Sequence, residues 1–360
     1  MAYWVDRLVA GGFVAPQTLA LALRQSRVSP RRWPQALLLS LSGVVVEPLA
    51  WLQALLWGSA LRQLTLPPDP VIVIGHWRSG TTYVHQLLAT DPQAATARNA
   101  LTIAPQVALL LKPLVVPLLR RWMTATRPID AVPWDALDPQ EDEIGLARLS
   151  FDTNMAGVAF PLEYPHHFRR CVLNCTPGFR RQFLNFCRLT LLHEGAGKSH
   201  WVIKNSAHTA RVPFLLDLFP KARFVLLQRD PVDSIRSLVQ VKQNLADLVG
   251  MQPAPDDVRQ VEETASAHRL LMEAFEAARD LIPAGQLVEV AYDELIEAPL
   301  ATVERIYREL SIEGWHEAQP RIAARVELAK SYRAKPVQLE PQAEQRLQAL
   351  MKPDAASSAA

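Results

Sequence analysis

The sequence predicts an α/β protein: a parallel sheet flanked by helices, with a helical N-terminal region before it. Three observations carry this expectation. Short continuous apolar runs such as "VIVI" (Val71–Ile74) and "FVLL" (Phe224–Leu227) suit strands covered on both faces. Helical patterns separate these runs, the alternation that joins parallel strands through crossover helices. A glycine-bearing turn, "GHWRSGTT" (Gly75–Thr82), follows the first run directly and leads into a helix, as phosphate-binding loops do.

The elements follow in order. Residues 1 to about 65 read as helical, and "LPPDP" (Leu66–Pro70) is a stiff break before the first strand. Strand Val71–Ile74 feeds a helix over about Thr81–Ala89. Residues 100 to 150 read as helical and proline-interrupted, and in "PQEDEIGLARLSF" Pro139 opens a helix with acids in its first turn. "WVIKN" (Trp201–Asn205) is a second strand, with a helix near Thr209–Leu218. "ARFVLLQRD" is a third, with a helix over Pro231–Gln243. A long helix covers about Asp256–Leu281, "QLVEVAYDEL" supplies a fourth strand, and helices run on to about Leu328. The organisation is a helical region over 1–65, one α/β domain over 66–345 with a helical insertion at about 100–195, and a frayed tail over 346–360.

Bulk properties narrow the function. With 49% apolar and 21% charged residues, the 360-residue chain is of globular composition. Its 38 basic and 36 acidic residues leave a net charge of +2, which gives no reason to expect nucleic acid as a partner, so any anion site must be local. Three cysteines, Cys171, Cys175 and Cys187, form no C-x-x-C pair. A reducing compartment is the simplest reading, and the N-terminus lacks a signal-peptide pattern, so the expected location is cytoplasmic. Two apolar stretches, Ala36–Trp57 and Leu101–Leu119, are interrupted by Glu47, Pro48, Gln53, Gln106, Lys112 and prolines. Buried core helices are the favoured reading. The sharper one is peripheral membrane contact or a channel for a greasy substrate, since Trp4, Trp33, Trp51 and Trp57 lie in or before the first stretch.

The loop fits G-x-x-x-x-G, but Thr81 stands where a nucleotide hydrolase carries its lysine. Gly75 and Gly80 let the backbone turn and approach a ligand closely. Ser79–Thr82 lead into the helix and offer unpaired N–H groups, and Thr81 and Thr82 add hydroxyls. The positive charge is Arg78, inside the loop. A second feature is "QRDPVDSIRS": Arg229 lies at the carboxyl end of a strand, where ligands bind in open α/β sheets. Asp230 can cap the following helix, Pro231 opens it, and Ser234 and Ser237 share a face. Arg229 and Ser237 can hold a second phosphate.

With these residues in place, the sequence resembles the sulfotransferases that use 3′-phosphoadenosine 5′-phosphosulfate (PAPS), the bacterial-type branch more than the small-phenol cytosolic enzymes. Four segments carry the likeness in the family's order: "GHWRSGTTYVHQLL", "WVIKNSAHTARVPFLLDLFPKARFV", "QRDPVDSIRS" and "VEVAYDELIEAPLATVERIYREL". The likeness spans about Val71–Leu310 and includes "PQEDE", which this branch often carries. It implies the P-loop-like sulfotransferase fold and PAPS as sulfuryl donor, and no metal need be invoked. Arg78, Ser79, Gly80, Thr81 and Thr82 would bind the 5′-phosphosulfate. Many relatives have lysine at Arg78; arginine keeps the charge and binds two oxygens but cannot move a proton as lysine can. Tyr83 stands where cytosolic relatives pack an aromatic on adenine, Tyr292 matches the adenine-edge tyrosine, and Arg229 and Ser237 would bind the 3′-phosphate. For the late basic 3′-phosphate motif the candidate is "SYRAK" (Ser331–Lys335).

Sulfuryl transfer needs positioning, cations and a base for the acceptor's proton. Lys204 resembles the family's strand-end lysine near the transferred group. Cytosolic relatives have a base histidine close to that lysine; His208 is the counterpart, at a spacing longer by two. Its bland reading is a helix-cap histidine. Glu141 is the rival base, with Glu143 behind it, against the reading of a charged helix N-terminus. Glu163, His166 and His167 are a weaker set that could line an acceptor pocket, and His76 reads as structural. The leucine-, valine- and tryptophan-rich helical regions suggest a small-molecule acceptor that is hydrophobic or lipid-like. The alternatives are a P-loop kinase or hydrolase, which the missing lysine disfavours, and a non-catalytic nucleotide binder.

Overall fold

The computed structural model describes residues 2–124, 126–127, 133–330 and 337–352. Three helices come first: α1 (Ala2–Gly11), α2 (Pro16–Gln25) and α3 (Trp33–Gln63). Strand β1 (Val71–Gly75) leads into α4 (Thr81–Leu88) and the short β2 (Ala94–Thr96). Between β2 and β3 (His200–Lys204) the described residues form six α-helices: α5 (Asn99–Thr102), α6 (Lys112–Trp122), α7 (Asp142–Leu149), α8 (Met155–Ala159), α9 (Tyr164–Cys171) and α10 (Pro177–Glu194). A 3₁₀ turn (Ser206–Arg211) and α11 (Val212–Leu218) lead to β4 (Arg223–Gln228), then α12 (Pro231–Val249) and α13 (Asp257–Ala278). Strand β5 (Leu287–Ala291) is followed by α14 (Tyr292–Glu297), α15 (Pro299–Glu309), α16 (Trp315–Ala329) and α17 (Pro341–Met351).

The sheet is parallel throughout, in the order β2-β3-β1-β4-β5. In register, Ile72 lies between Ile203 of β3 and Phe224 of β4. Side chains alternate between two cores: Ile72, Ile74, Phe224 and Leu226 join Phe183 and Phe186 of α10 on one face, while Val71, Val73, Val225 and Val288 join α4, α15 and α16 on the other. Burial on both faces is why these strands read as unbroken apolar runs. The chain leaves central β1 for β2 and β3 on one side, then crosses to β4 and β5. The crevice at that change of direction, beyond the carboxyl ends of β1, β3 and β4, is where open α/β sheets bind ligands.

Several expectations are corrected. Among the described residues five strands form, not four; β2 is three small residues at an edge and carries little signal. The helix expected to open at Pro139 begins at Asp142, because Pro139 pairs in a β-bridge with Arg98. Residues 346–351, expected in a frayed tail, are helical: α17 reaches Met351 and buries Ala343 and Leu347 against Ile235, Val239 and Val261 of α12 and α13. Nor is α3 a buried core helix; Leu37, Val45, Trp51 and Leu55 are all exposed. "SYRAK" falls outside the described residues.

Candidate active site

The loop after β1 is shaped by its glycines. Gly75 has φ +131°, and a Cβ there would lie 2.4 Å from the Leu227 carbonyl oxygen of β4. Gly80, the N-cap of α4, has φ +95°, and its Cβ would meet the Tyr292 ring at 2.9 Å. Both positions require glycine on conformation and space together. Between them the Ser79 hydroxyl donates to the His76 carbonyl at 2.7 Å, and the Thr209 hydroxyl accepts from the Gly75 N–H at 2.8 Å. Arg78 adopts φ +70°, a conformation unusual outside glycine.

Two arginines meet at this loop. Arg78 Nε donates to Ser237 Oγ of α12 at 2.9 Å. Arg229, just past β4, donates from Nη1 to the Arg78 carbonyl at 3.0 Å, and its guanidinium stacks 4.3 Å from the Tyr292 ring centroid. Asp230 caps α12 by accepting from the Asp233 N–H at 3.0 Å. Arg78, Arg229, Ser237 and Tyr292, spread over more than 200 residues of chain, are thus one cluster. Thr81 is buried at the α4 N-terminus and Thr82 half-buried beside it. Tyr83 packs towards the cluster holding Leu300 and Trp315, and burial raises its phenol's pKa, partly offset by Arg325. His76 is buried behind the loop, its ring 4.6 Å from that of His268; burial holds its pKa well below the ordinary histidine range.

Lys204 ends β3 and is 3% exposed. Its ammonium pairs with the Glu141 carboxylate, which is itself one-fifth exposed. Burial lowers the lysine pKa, Glu141 raises it, and Arg127 and Arg78 lower it further. Lys204 therefore feels the cation of the loop. On its other side is His85 of α4, bonded to Thr96 at 2.7 Å; burial, then Lys204 and Arg98, hold His85 neutral.

Beneath Lys204 lies a closed polar network. A 3₁₀ turn has three residues per turn, so Asn205, His208 and Arg211 stand on one face and meet the acids that open α7. Asn205 Nδ2 donates to Asp142 at 2.7 Å and to Glu143 at 2.5 Å. His208 Nε2 lies 3.0 Å from Asp142 Oδ2, and Arg211 Nη1 lies 3.1 Å from Glu143 Oε2. Arg211 Nη1 also lies 3.2 Å from His208 Nδ1. Arginine can only donate, so Nδ1 accepts and Nε2–H donates to Asp142: both ring nitrogens are engaged. His208 is fully buried, edge-on to Phe183. Glu143 is buried too; burial raises its pKa, but Arg211, Asn205 and the Asn154 N–H outweigh that and leave it below the ordinary range.

Of the two candidate bases, then, the structure sets Glu141 beside Lys204 with partial access and seals His208 in the network below. Glu163 and His167 lie elsewhere. Glu163 accepts from Ser26 at 2.8 Å and Gln252 at 2.7 Å, and His167, with its pKa pushed down to about 4 by burial and then Arg170, touches Ser26 at 3.0 Å; His166 is exposed. Sequence reasoning missed Asp142, Asn205, Arg211 and His85. The repeat of Asn205, His208 and Arg211 every three residues was the available signal for the first three.

Comparison with known proteins shows the family. The model of the sulfotransferase family matches residues 70–317. Omega-hydroxy-beta-dihydromenaquinone-9 sulfotransferase Stf3 of Mycobacterium bovis is 24% identical over 272 residues, covering 74% of this chain and 69% of that protein, and its Mycobacterium tuberculosis counterpart matches equally. Among solved structures, sulfotransferase STF9 of Mycobacterium avium superposes with a TM-score of 0.69 at 18% identity, covering 94% of this chain and 95% of that one. Sulfotransferase STF1 of M. tuberculosis gives 0.60 at 19%, covering 84% and 81%. These two share the parallel-sheet, P-loop-like fold. The family model covers more than half of the sequence, residues 70–317: the chain belongs to the sulfotransferase family.

Proposed function

We propose that the protein moves a sulfuryl group from PAPS to a hydroxyl or amine of a hydrophobic acceptor, with Glu141 as general base and His208 as a positioning residue. The observation that carries this reading is the Glu141–Lys204 pair at the end of β3, next to the Arg78 loop. The chain's residues fit the donor. Gly75 and Gly80, where a Cβ would strike Leu227 and Tyr292, let the loop turn tightly into α4, and the N–H groups of Gly80–Thr82 with the hydroxyls of Thr81 and Thr82 suit a phosphosulfate. Ser79, expected to join them, is instead bonded within the loop, its N–H and hydroxyl both donating to the His76 carbonyl. Arg229 and Ser237 suit the 3′-phosphate, and Tyr292 the adenine edge. When bound, the donor would supply the sulfuryl group: a bond from sulfur to the acceptor's oxygen or nitrogen forms as the sulfur–oxygen bond to the bisphosphate breaks.

Glu141 takes the acceptor's proton. Lys204 and Arg78 place positive charge where the leaving oxygen gains negative charge, in a site dry enough for that charge to count. The network of Asp142, Glu143, Asn205, His208 and Arg211 fixes the start of α7, and with it the Glu141 carboxylate. Such rigidity matters because effective concentration depends on orientation.

A lipid-like acceptor suits the far end of α7. A cavity of ≈ 90 Å³ opens there, lined by Val14, Leu19, Leu39, Phe151, Phe160 and Met251 among others. Along the helix it lies about 10 Å from Glu141, a span for an apolar chain whose reactive end sits at the base. The relative named above for a menaquinone derivative favours the same class. Such an acceptor is met at a membrane, which favours peripheral contact with the bilayer; the free cysteines Cys171, Cys175 and Cys187 favour its cytoplasmic side.

Two measurements test the reading. Adenosine 3′,5′-bisphosphate is expected to bind without magnesium and ATP to fail as a competitor; the reverse would return the protein to the nucleotide hydrolases. Incubation with labelled PAPS and a lipid extract is expected to yield a sulfated lipid by mass, and labelling confined to polar metabolites would overturn the acceptor class.

A further inference from the structure

Helix α3 is 31 residues long, and its two faces differ sharply. At ~100° per residue, Trp33, Leu37, Val44, Trp51 and Leu55 fall within about 40° of one another on the helix wheel. All five are exposed, Trp51 at 71% and Leu55 at 80%. The opposite face holds Ala36, Leu39 and Gly43, all buried. Counting from Trp33 to Leu56, the exposed stripe is about 35 Å long, too long and continuous to be scattered surface apolars.

The helix is apolar and long enough to cross a membrane, with a mean hydropathy of 1.5 over its best window, but its inner face is tied to the protein along its length. Gln35 accepts from Arg7 Nε at 3.1 Å and donates to the Gly250 carbonyl at 3.0 Å. Gly43 abuts the Val14 backbone. Eighteen residues, or five turns, after Gln35, Gln53 donates to the Pro105 carbonyl at 3.0 Å and accepts from the Leu109 and Leu110 N–H groups at 2.8 and 3.1 Å. Spanning a bilayer would strip these buried amides of their partners. A helix so held can lie on a membrane but not across one.

Charge selects the surface. The segment from Pro16 to Gln63 carries five arginines, Arg24, Arg27, Arg31, Arg32 and Arg62, and one acid, Glu47, in a chain with net charge +2. The acid is turned to the Trp51 indole N–H, 3.0 Å away. Arg24, Arg27, Arg31 and Arg62 are exposed at the two ends of the apolar stripe, and Trp33 sits at its border. Basic ends and tryptophans around an apolar face are the pattern of a helix lying in an anionic membrane interface.

We propose that the outward face of α3 docks the protein on an anionic lipid bilayer, peripherally and with the helix in the plane of the membrane. This deepens the lipid-acceptor reading above, yet it stands without it, because docking is read without turnover. The test is flotation with phosphatidylcholine vesicles, with and without phosphatidylglycerol. The full chain is expected to float with the anionic vesicles, to float less with phosphatidylcholine alone, and to be released by salt. Val45→Glu with Leu55→Glu is expected to reduce flotation roughly tenfold, with its thermal melt unchanged because both positions are exposed. A chain that stays in the soluble fraction with both vesicles overturns the proposal, as does a double variant of parental melt that floats like the parent. Light scattering covers the other occupant: a stable dimer that does not float, and that the double variant splits to monomers, would assign the face to a second copy.

Discussion

Replacing Glu141 with glutamine keeps the side chain's shape while removing the charge that pairs with Lys204. If Glu141 takes the acceptor's proton, Glu141→Gln lowers kcat by about 100-fold or more and leaves the affinity for adenosine 3′,5′-bisphosphate at the parental value; loss of both together would make Glu141 a structural partner of Lys204 instead. His208→Ala acts differently. It empties a fully buried site and leaves Asp142 and Arg211 each short of a partner, a cost of about 2–4 kcal/mol in unfolding free energy. Its loss of rate should follow the displaced Glu141, with the acidic limb of the pH–rate profile unchanged, and a lost limb would return the base role to the histidine. Both residues were legible in the sequence as candidates, and so was Lys204. Their different settings were not, because spacing shows that His208 follows a strand-end lysine but not that Asp142 and Arg211 occupy both ring nitrogens.

At the scale of elements, legibility followed burial. Strands β1, β3 and β4 are covered on both faces or nearly so and stand out as apolar runs, while edge strand β5, "LVEVA", buries only Val288 and Val290 on one face. Strand β2, "AAT", has side chains too small to mark it, and only its pairing with β3 makes it a strand. Helix α17 was missed for a related reason: in "PQAEQRLQALM" small and apolar residues are mixed evenly with polar ones, with no long apolar run to mark it. Those positions nevertheless close a core. Leu347 and Ala343 are fully buried, and Arg236 of α12 grips Glu344 at 2.6 Å. Leu347→Ala is therefore expected to cost about 2–4 kcal/mol, read as a lower urea midpoint at unchanged slope. A loss within ~0.5 kcal/mol, the usual range for surface positions, would mean that α17 is indeed a loose tail. The same logic explains the misreading of α3. Its apolar residues were seen, but a sequence cannot tell a helix buried on all sides from one with a single anchored face.

Across the whole molecule, the two central helices α12 and α13 carry an ionisable group that links stability to pH. Lys242 of α12 is buried, its ammonium 3.4 Å from the Tyr164 ring centroid and 3.1 Å from the Thr264 hydroxyl of α13. Burial pushes its pKa down to about 7, against some support from Glu263. In the unfolded chain a lysine stays protonated to about pH 10.4. Between about pH 7 and 10 the unfolded state therefore binds one more proton than the folded state, and unfolding free energy from this group rises with pH by up to ~1.4 kcal/mol per unit. Glu143 acts at the other end of the scale. Its folded pKa is depressed, so its contribution is present at neutral pH and is lost as pH falls below the ordinary carboxylate range. Together the two groups place maximum stability on the alkaline side of neutrality. Lys242→Met keeps the length of the buried stem and removes the titration. Urea denaturation from pH 7 to 9.5 should show a rising unfolding free energy in the parent and a flatter one in Lys242→Met, with the variant more stable near pH 7. Parallel pH profiles would mean that Lys242 keeps its proton in the fold, held by the Tyr164 ring face and Glu263.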